Sequence, residues 1–199
     1  MAHKLDDFTI EIQDWREKAL QRALWKKETS RLGTINVIWC DIEITVDDGG
    51  REDSKRLDLV GVGDDDSLVL CELKFNRSDD SPNDAAKQVS EYRDYILTHP
   101  ESLGQHKKAK HRGMLDWTNL VKKPIHLVLA ANSTYWHHWK RKWGNEWEDR
   151  LASIEHNSIT CYELQIDDDF FKKQKEKNGK KTYSPEITEE QNIWTPVDL

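Results

Sequence analysis

The sequence predicts a mixed α/β fold: a central mixed sheet of four to five strands flanked by helices, in the order α-β-β-β-α-β-α-β. Three segments carry apolar residues at helical spacing, and short runs rich in β-branched residues separate them. Strands that alternate with helices are typical of a sheet whose faces are covered by helices. A length of 199 residues suits one domain of ordinary size.

Each element follows from a local pattern. Periodicity predicts helices at 9–27, 83–98 and 134–153, and strands at 34–46, 56–62, 67–75, 123–131 and 158–166. The acidic turn Gly63-Asp64-Asp65-Asp66 joins the second and third strands as an antiparallel hairpin. We place the domain at residues 1–168 and treat 169–199 as a basic, then acidic, C-terminal extension. Within it, Asn178-Gly179 is a turn signal that favours a second hairpin.

Composition narrows the class of protein. Charged residues make up 34% of the chain, but nine tryptophans and recurrent apolar runs argue against disorder. No run of 18 apolar residues occurs, so no membrane partner is expected. The first residues do not resemble a signal peptide. Cys40, Cys71 and Cys161 lie in apolar runs without metal-ligand spacing, which favours reduced thiols and a cytoplasmic location.

The predicted hairpin carries three ionic side chains where buried strands should be apolar: Asp58, Glu72 and Lys74. Positions 72 and 74 share one face of a strand, and a turn centred near Asp65 places residue 58 opposite residue 72. Two converging carboxylates repel unless a cation lies between them, and oxygen ligands suit Mg²⁺ or Mn²⁺. A lysine beside the metal can position a water or stabilise charge on a phosphoryl group. The structural alternative is a plain cross-strand ion pair.

Asp58 followed by Glu72-Leu73-Lys74 resembles the PD-(D/E)xK nuclease superfamily, and R-L-D-L-V-G-V … L-V-L-C-E-L-K-F is similar to its RecB-like and archaeal-endonuclease-like branches. Gln88-Val-Ser-Glu-Tyr92 resembles the Q-x-x-x-Y element of these nucleases, and Glu17 resembles their first-helix glutamate. Leu57 stands where the family name has Pro. The resemblance covers roughly residues 10–135 and implies a restriction-endonuclease-like core.

The resemblance also implies roles for individual residues. Asp58 and Glu72 would hold Mg²⁺ (or Mn²⁺) with the backbone carbonyl of Leu73, and Lys74 would assist the attacking water. Gln88 would steady the site, and Glu17 would be the additional acidic residue. Glu11 and Glu43 are alternatives to Glu17.

The implied activity is that of a Mg²⁺-dependent hydrolase that cuts phosphodiester bonds in nucleic acid, which we expect to be DNA. Double-strand cleavage by so small a protein would favour a homodimer. The alternative is a catalytically inactive nuclease-fold module that binds nucleic acid or a protein partner. The fold class alone does not choose between these functions.

Basic residues outside the hairpin are candidates for nucleic-acid contact, because clustered Lys and Arg attract phosphates. They are Arg77, Lys107, Lys108, Lys110, Arg112, Lys140, Arg141 and Lys142. The tryptophans of 134–153 could form a stacking platform for single strands. We favour a buried aromatic stripe, since such stripes usually belong to the core.

Overall fold

The computed structural model describes residues 16–46, 55–103, 115–166, 170, 174–177, 180–183, 187–188 and 191–197. Its helices are α1 (Arg16–Lys27), α2 (Pro82–Thr98), α3 (Pro100–Leu103), α4 (Trp117–Leu120), α5 (Ser133–Trp143) and α6 (Trp147–His156). Its strands are β1 (Thr29–Leu32), β2 (Ile35–Thr45), β3 (Arg56–Gly63), β4 (Leu68–Lys74), β5 (Ile125–Asn132), β6 (Ile159–Leu164), β7 (Gln174–Lys177), β8 (Lys180–Tyr183) and β9 (Trp194–Pro196).

The main sheet has seven strands in the order β1-β2-β3-β4-β5-β6-β9. Strands β1 to β4 pair antiparallel, β4, β5 and β6 pair parallel, and β9 runs antiparallel to β6. The sheet curls until its two edge strands, β1 and β9, lie against each other, which makes it a nearly closed, barrel-like sheet. The predicted restriction-endonuclease-like core, with four to five strands flanked by helices, is therefore wrong.

Two short strands account for this error. Strand β1 follows Glu28, a residue with positive φ (70°), and its four residues are too few to give a clear alternating pattern. Strand β9 contains only Trp194, Thr195 and Pro196, and it lies within the segment predicted to be an extension. That segment therefore supplies the last strand of the main sheet.

Aromatic contacts hold the curled sheet together. The Trp194 ring stacks on the Trp39 ring with centroids 5.8 Å apart, and it meets the Tyr162 ring edge to face at 5.7 Å. The indole N–H of Trp39 donates to the Ser30 hydroxyl at 2.9 Å, which ties β1 to the same cluster. Trp194 thus joins strands from both edges of the sheet.

Helices cover the two faces of the sheet. Helix α1 packs on one face and α2 on the other, and each buries a stripe of apolar residues. These stripes are Ala19, Leu20, Ala23 and Leu24 on α1, and Ala85, Val89, Tyr92 and Ile96 on α2. Within the described ranges, no helix is both long and apolar enough to cross a bilayer.

The predicted helix at 134–153 is interrupted. Gly144 adopts a positive φ of 55°, which ends α5, and α6 begins at Trp147. Trp136, Trp139 and Trp147 are buried, which confirms the core interpretation of the aromatic stripe. The predicted second hairpin also forms, since β7 and β8 pair antiparallel. Its turn residues, 178 and 179, lie outside the described part of the chain.

Trp194→Ala should lower the free energy of unfolding by about 3–5 kcal/mol, because it removes a buried indole that joins the two edges of the sheet. Urea denaturation would measure this loss. Ile38→Ala is the control: Ile38 is 55% exposed, and its removal should change stability by no more than about 0.5 kcal/mol. Equal effects of the two substitutions would contradict the role assigned to Trp194.

Candidate active site

The site lies where the hairpin of β3 and β4 separates. Leu59 pairs with Cys71 and Val62 with Leu68, so Asp58 and Glu72 occupy the next pair of positions, in the predicted register. The pairing of β3 with β4 ends at Leu59 and Cys71, one residue before this position. Beyond this point the Asp58 carboxylate replaces the ladder bond: its Oδ2 accepts the backbone N–H of Leu73 at 2.8 Å. Glu72, Leu73 and Lys74, the residues of β4 beyond the last pair, are buried.

Glu72 and Lys74 project from β4 on one face of the sheet, as their spacing predicts. Both are buried, with exposures of 2% and 5%. The Lys74 ammonium donates to Glu72 Oε1 at 2.9 Å and to Asp80 Oδ2 at 2.9 Å. It also reaches Gln88 Oε1 at 3.3 Å. A buried ammonium with three oxygen acceptors is fully satisfied.

Helix α2 carries Gln88 into this cluster. Ser81 caps the helix with a reciprocal capping box to Asp84, and Pro82 begins its first turn. Gln88 faces Lys74 one and a half turns later, and its amide donates to the Tyr92 hydroxyl on the next turn. Gln88 therefore contacts the lysine directly, and Tyr92 holds Gln88.

Helix α1 covers the site from the other side. The Glu17 carboxylate accepts the backbone N–H of Phe75 and lies near Asp58, Lys74 and Asp80. One turn later, the Gln21 amide donates to the Asp58 carbonyl at 2.6 Å and to its Oδ1 at 3.2 Å.

Two of the three candidates for the additional acidic residue lie near Asp58. Glu17 approaches it from α1, and Glu43 lies on β2, across from Asp58 on β3. Glu43 pairs with Lys18 at 3.3 Å, and Glu11 lies outside the described residues.

The crowded carboxylates resist ionisation. Burial, reinforced by the Asp58 charge, raises the Glu17 pKa to about 8. Burial raises the Asp58 pKa to about 6, against the opposing hydrogen bond from Leu73. Burial and the Asp58 charge raise the pKa of Glu72 well above its ordinary value. Burial alone would lower the Lys74 pKa, but the charges of Glu72 and Glu17 outweigh it, so the lysine stays protonated.

The donor set suits a hard cation in its chemistry. Glu72 Oε2 is buried without a hydrogen-bond partner, and the charges of Asp58 and Glu17 act on Glu72. Carboxylate oxygens are the donors that hard cations prefer. Lys74 already neutralises one negative charge. Among the described residues, no three His, Cys, Asp or Glu side chains stand close enough together to hold a metal ion. The residues therefore suit a hard cation in the type of donor atom and in charge. The part assigned to the Leu73 carbonyl stays a prediction.

The predicted nucleic-acid-binding residues fall into three groups. Arg77, Lys140 and Arg141 line one open cleft. Lys142 lies over the Trp139 ring, 4.0 Å from its centroid. Lys107, Lys108, Lys110 and Arg112 lie outside the described residues.

Sequence reasoning missed Asp80, Gln21 and Tyr135. Asp80 lies in the polar loop between β4 and α2, where no periodic pattern marks it, yet it accepts a hydrogen bond from Lys74. The Tyr135 hydroxyl donates to the Asp80 carbonyl at 3.1 Å and holds that loop in place. The signal for Gln21 was its spacing, because it lies one turn after Glu17 on the same helix face.

Comparison of the chain with protein-family models, with curated proteins and with solved structures finds no match. The resemblance to PD-(D/E)xK nucleases therefore rests on the residues named above. These are Glu17, Asp58, Glu72, Lys74 and Gln88, which the structure brings into one cluster.

Without added metal, the protein should lose stability as the pH rises from about 4.5 to about 8. The folded-state pKa values of Glu17 and Asp58 are raised above their ordinary values of 4.5 and 3.8, so the folded protein binds more protons than the unfolded chain. Each extra bound proton contributes a slope of about 1.4 kcal/mol per pH unit. Urea denaturation in EDTA at several pH values across this window would measure the slope.

The variants Glu17→Gln and Asp58→Asn should flatten that dependence, because each removes one group with a raised pKa. Glu148→Gln, an exposed residue on α6, should keep it. A native protein that grows more stable as the pH rises through the window would contradict the prediction.

Lys74→Met should lower the free energy of unfolding by about 3–5 kcal/mol, because it leaves the Glu72 carboxylate buried without its cation. The double variant Glu72→Gln/Lys74→Met should regain much of that loss, since it buries no unpaired charge. Chemical denaturation of both variants and of Lys87→Met, an exposed lysine on α2, would test this. A single variant as stable as Lys87→Met would show that the ion pair is not needed.

Proposed function

We propose that this protein is a Mg²⁺- or Mn²⁺-dependent nuclease that hydrolyses phosphodiester bonds in DNA. One observation carries the proposal: Glu72 pairs with the buried Lys74 where the pairing of β3 with β4 ends, and the charges of Glu17 and Asp58 act on both. These side chains come from three separate parts of the chain. Their pKa values are strongly perturbed, and such clusters are typical of functional sites.

The cost of this arrangement supports a catalytic role. Replacing a buried ion pair by well-packed apolar residues often leaves a protein at least as stable. Stability alone therefore gives little reason to keep three carboxylates together. The unpartnered Oε2 of Glu72 adds to that cost. A site that binds a cation and a phosphoryl group would use these groups.

The proposed roles follow the positions of the side chains. Asp58 and Glu72 would hold the metal, with Glu17 as the additional acidic residue. When bound, Mg²⁺ supplies Lewis-acid stabilisation of charge on the phosphoryl oxygens. Lys74, held by Glu72, Asp80 and Gln88, would orient the attacking water or stabilise the developing negative charge. Gln88 would fix the ammonium position through its link to Tyr92.

The test is a cleavage assay on plasmid, linear duplex, single-stranded DNA and RNA with Mg²⁺ or Mn²⁺. Asp58→Asn and Glu72→Gln should each lower the rate by about 100-fold or more, because each removes charge from the reacting centre. Asp149→Asn, which changes an exposed aspartate of α6 in the same way, should cut at the native rate. Near-ultraviolet circular dichroism should show that the variants are folded.

Metal binding separates this proposal from its alternative. Calorimetry should detect Mn²⁺ binding to the native protein and weaker binding to Glu72→Gln. If the native protein neither cuts any of these substrates nor binds Mn²⁺, the cluster is a buried ion-pair network, and the inactive nucleic-acid- or protein-binding module becomes the better assignment. Cutting of RNA alone would correct the substrate. A homodimer and a cytoplasmic location stay predictions.

A further inference from the structure

A second feature lies beside the acidic cluster: an open cleft of about 520 Å³ lined by Arg77, Thr134, His137, Lys140 and Arg141. Arg77 comes from the loop between β4 and α2. The other four residues come from α5. The cleft is therefore formed by two elements that both start at the carboxyl ends of parallel strands, where open α/β sheets commonly bind ligands.

Hydrogen bonds fix the cleft relative to the acidic cluster. Lys74 lies opposite Ala131 in the register of β4 and β5. Just beyond this pair, Asn76 and Asn132 exchange two hydrogen bonds, at 2.8 and 2.9 Å. These bonds join the Arg77 loop to the start of α5. The loop also carries Asp80, which bonds Lys74, so the same few residues position both the lysine and the cleft.

The cations of the cleft are uncompensated. Within the described ranges, Arg77, Lys140 and Arg141 form no ion pair with a carboxylate, whereas many other surface cations do. Examples of such pairs are Lys55–Glu91, Arg93–Asp94 and Arg150–Glu146. Three unpaired cations around one concavity, in a chain of net charge −7, concentrate positive potential there.

The neighbouring Lys142 provides a contrast. It belongs to the same helix but lies over the Trp139 ring, with its ammonium 4.0 Å from the centroid. It does not line the cleft. The Lys140 ammonium also lies near an indole, 5.7 Å from the Trp147 centroid, but Lys140 lines the cleft. Lys140 and Lys142 therefore form a matched pair of the same charge on the same helix, of which only Lys140 lines the cleft.

We propose that this cleft binds a phosphate group of the strand that the acidic cluster cleaves, one or a few nucleotides away from the scissile bond. The inference rests on the proposed nuclease function and adds the residues that hold the substrate. Arginine forks match phosphate oxygens in pairs, and Lys140, the Thr134 hydroxyl and the His137 ring add further donors. These contacts involve no base, so the cleft holds strands of any sequence.

The phosphate can be internal to the strand or can be its free end. Fluorescence anisotropy in EDTA, which prevents cleavage, would compare labelled DNA oligonucleotides with a 5′-phosphate and with a 5′-hydroxyl. Equal affinities assign the cleft to backbone phosphate, and a preference for the phosphorylated end assigns it to a terminal phosphate.

Single substitutions test the cleft itself. Arg77→Ala, Lys140→Ala and Arg141→Ala should each weaken binding about 5- to 20-fold and lower the salt dependence by roughly one phosphate contact. Lys142→Ala should bind within about twofold of the native protein, because Lys142 does not line the cleft. Equal effects of Lys140→Ala and Lys142→Ala, or native-like binding by all three cleft variants, would overturn the proposal. So would a native protein that binds no nucleic acid.

The binding result is independent of the cleavage result. If the cleft variants bind poorly while the native protein never cuts, the cleft is a phosphate-binding site for nucleic acid and the nuclease proposal fails. If Glu72→Gln abolishes cutting while the cleft variants bind normally, the nuclease proposal holds and the cleft assignment fails.

Discussion

The separation of β3 from β4 is the constraint on which the site depends. Pairing ends at Leu59 and Cys71, and the Asp58 carboxylate takes over the bond to the Leu73 N–H. This one exchange positions a carboxylate between two strands at the carboxyl end of β4. It also gives α1 a place to insert Glu17 and Gln21. A regular ladder would have left Glu72 and Lys74 on a closed sheet face under α2.

Charge balance then determines which groups the acidic cluster around Lys74 can bind. Lys74 offsets one carboxylate, Gln88 and Asp80 complete its coordination, and raised pKa values absorb part of the remaining repulsion. Such a cluster is marginal by itself, because burial penalises each charge separately. A cation would relieve the repulsion, and a phosphate nearby would need positive groups of its own. Arg77, Lys140 and Arg141 of the adjacent cleft would supply them.

The sequence predicted the relative placement of the side chains on β3, β4 and α2 better than it predicted the fold. The position of the turn near Asp65 predicted the register of Asp58 and Glu72, and strand alternation placed Lys74 on the same face as Glu72. Gln88 came from the resemblance to the Q-x-x-x-Y element, and it contacts the lysine. Asp80 escaped notice because loop residues carry no period. The number of strands was underestimated because β9 has only three residues. It pairs with β6, and its Trp194 stacks on Trp39, a residue distant in sequence. Such tertiary contacts leave little trace in a local pattern.

The position of Trp194 has a consequence for the order of folding. Strands β2, β3 and β4 are neighbours in both sequence and space, so they can meet at low entropic cost. The contact between Trp39 and Trp194 spans most of the chain, and the sheet cannot curl closed until residue 194 arrives. The hairpin that brings the acidic residues together is therefore expected to form first. Closure of the barrel-like sheet is expected to be the slow, final step, and until then the aromatic surface around Trp39 is open to association with other chains.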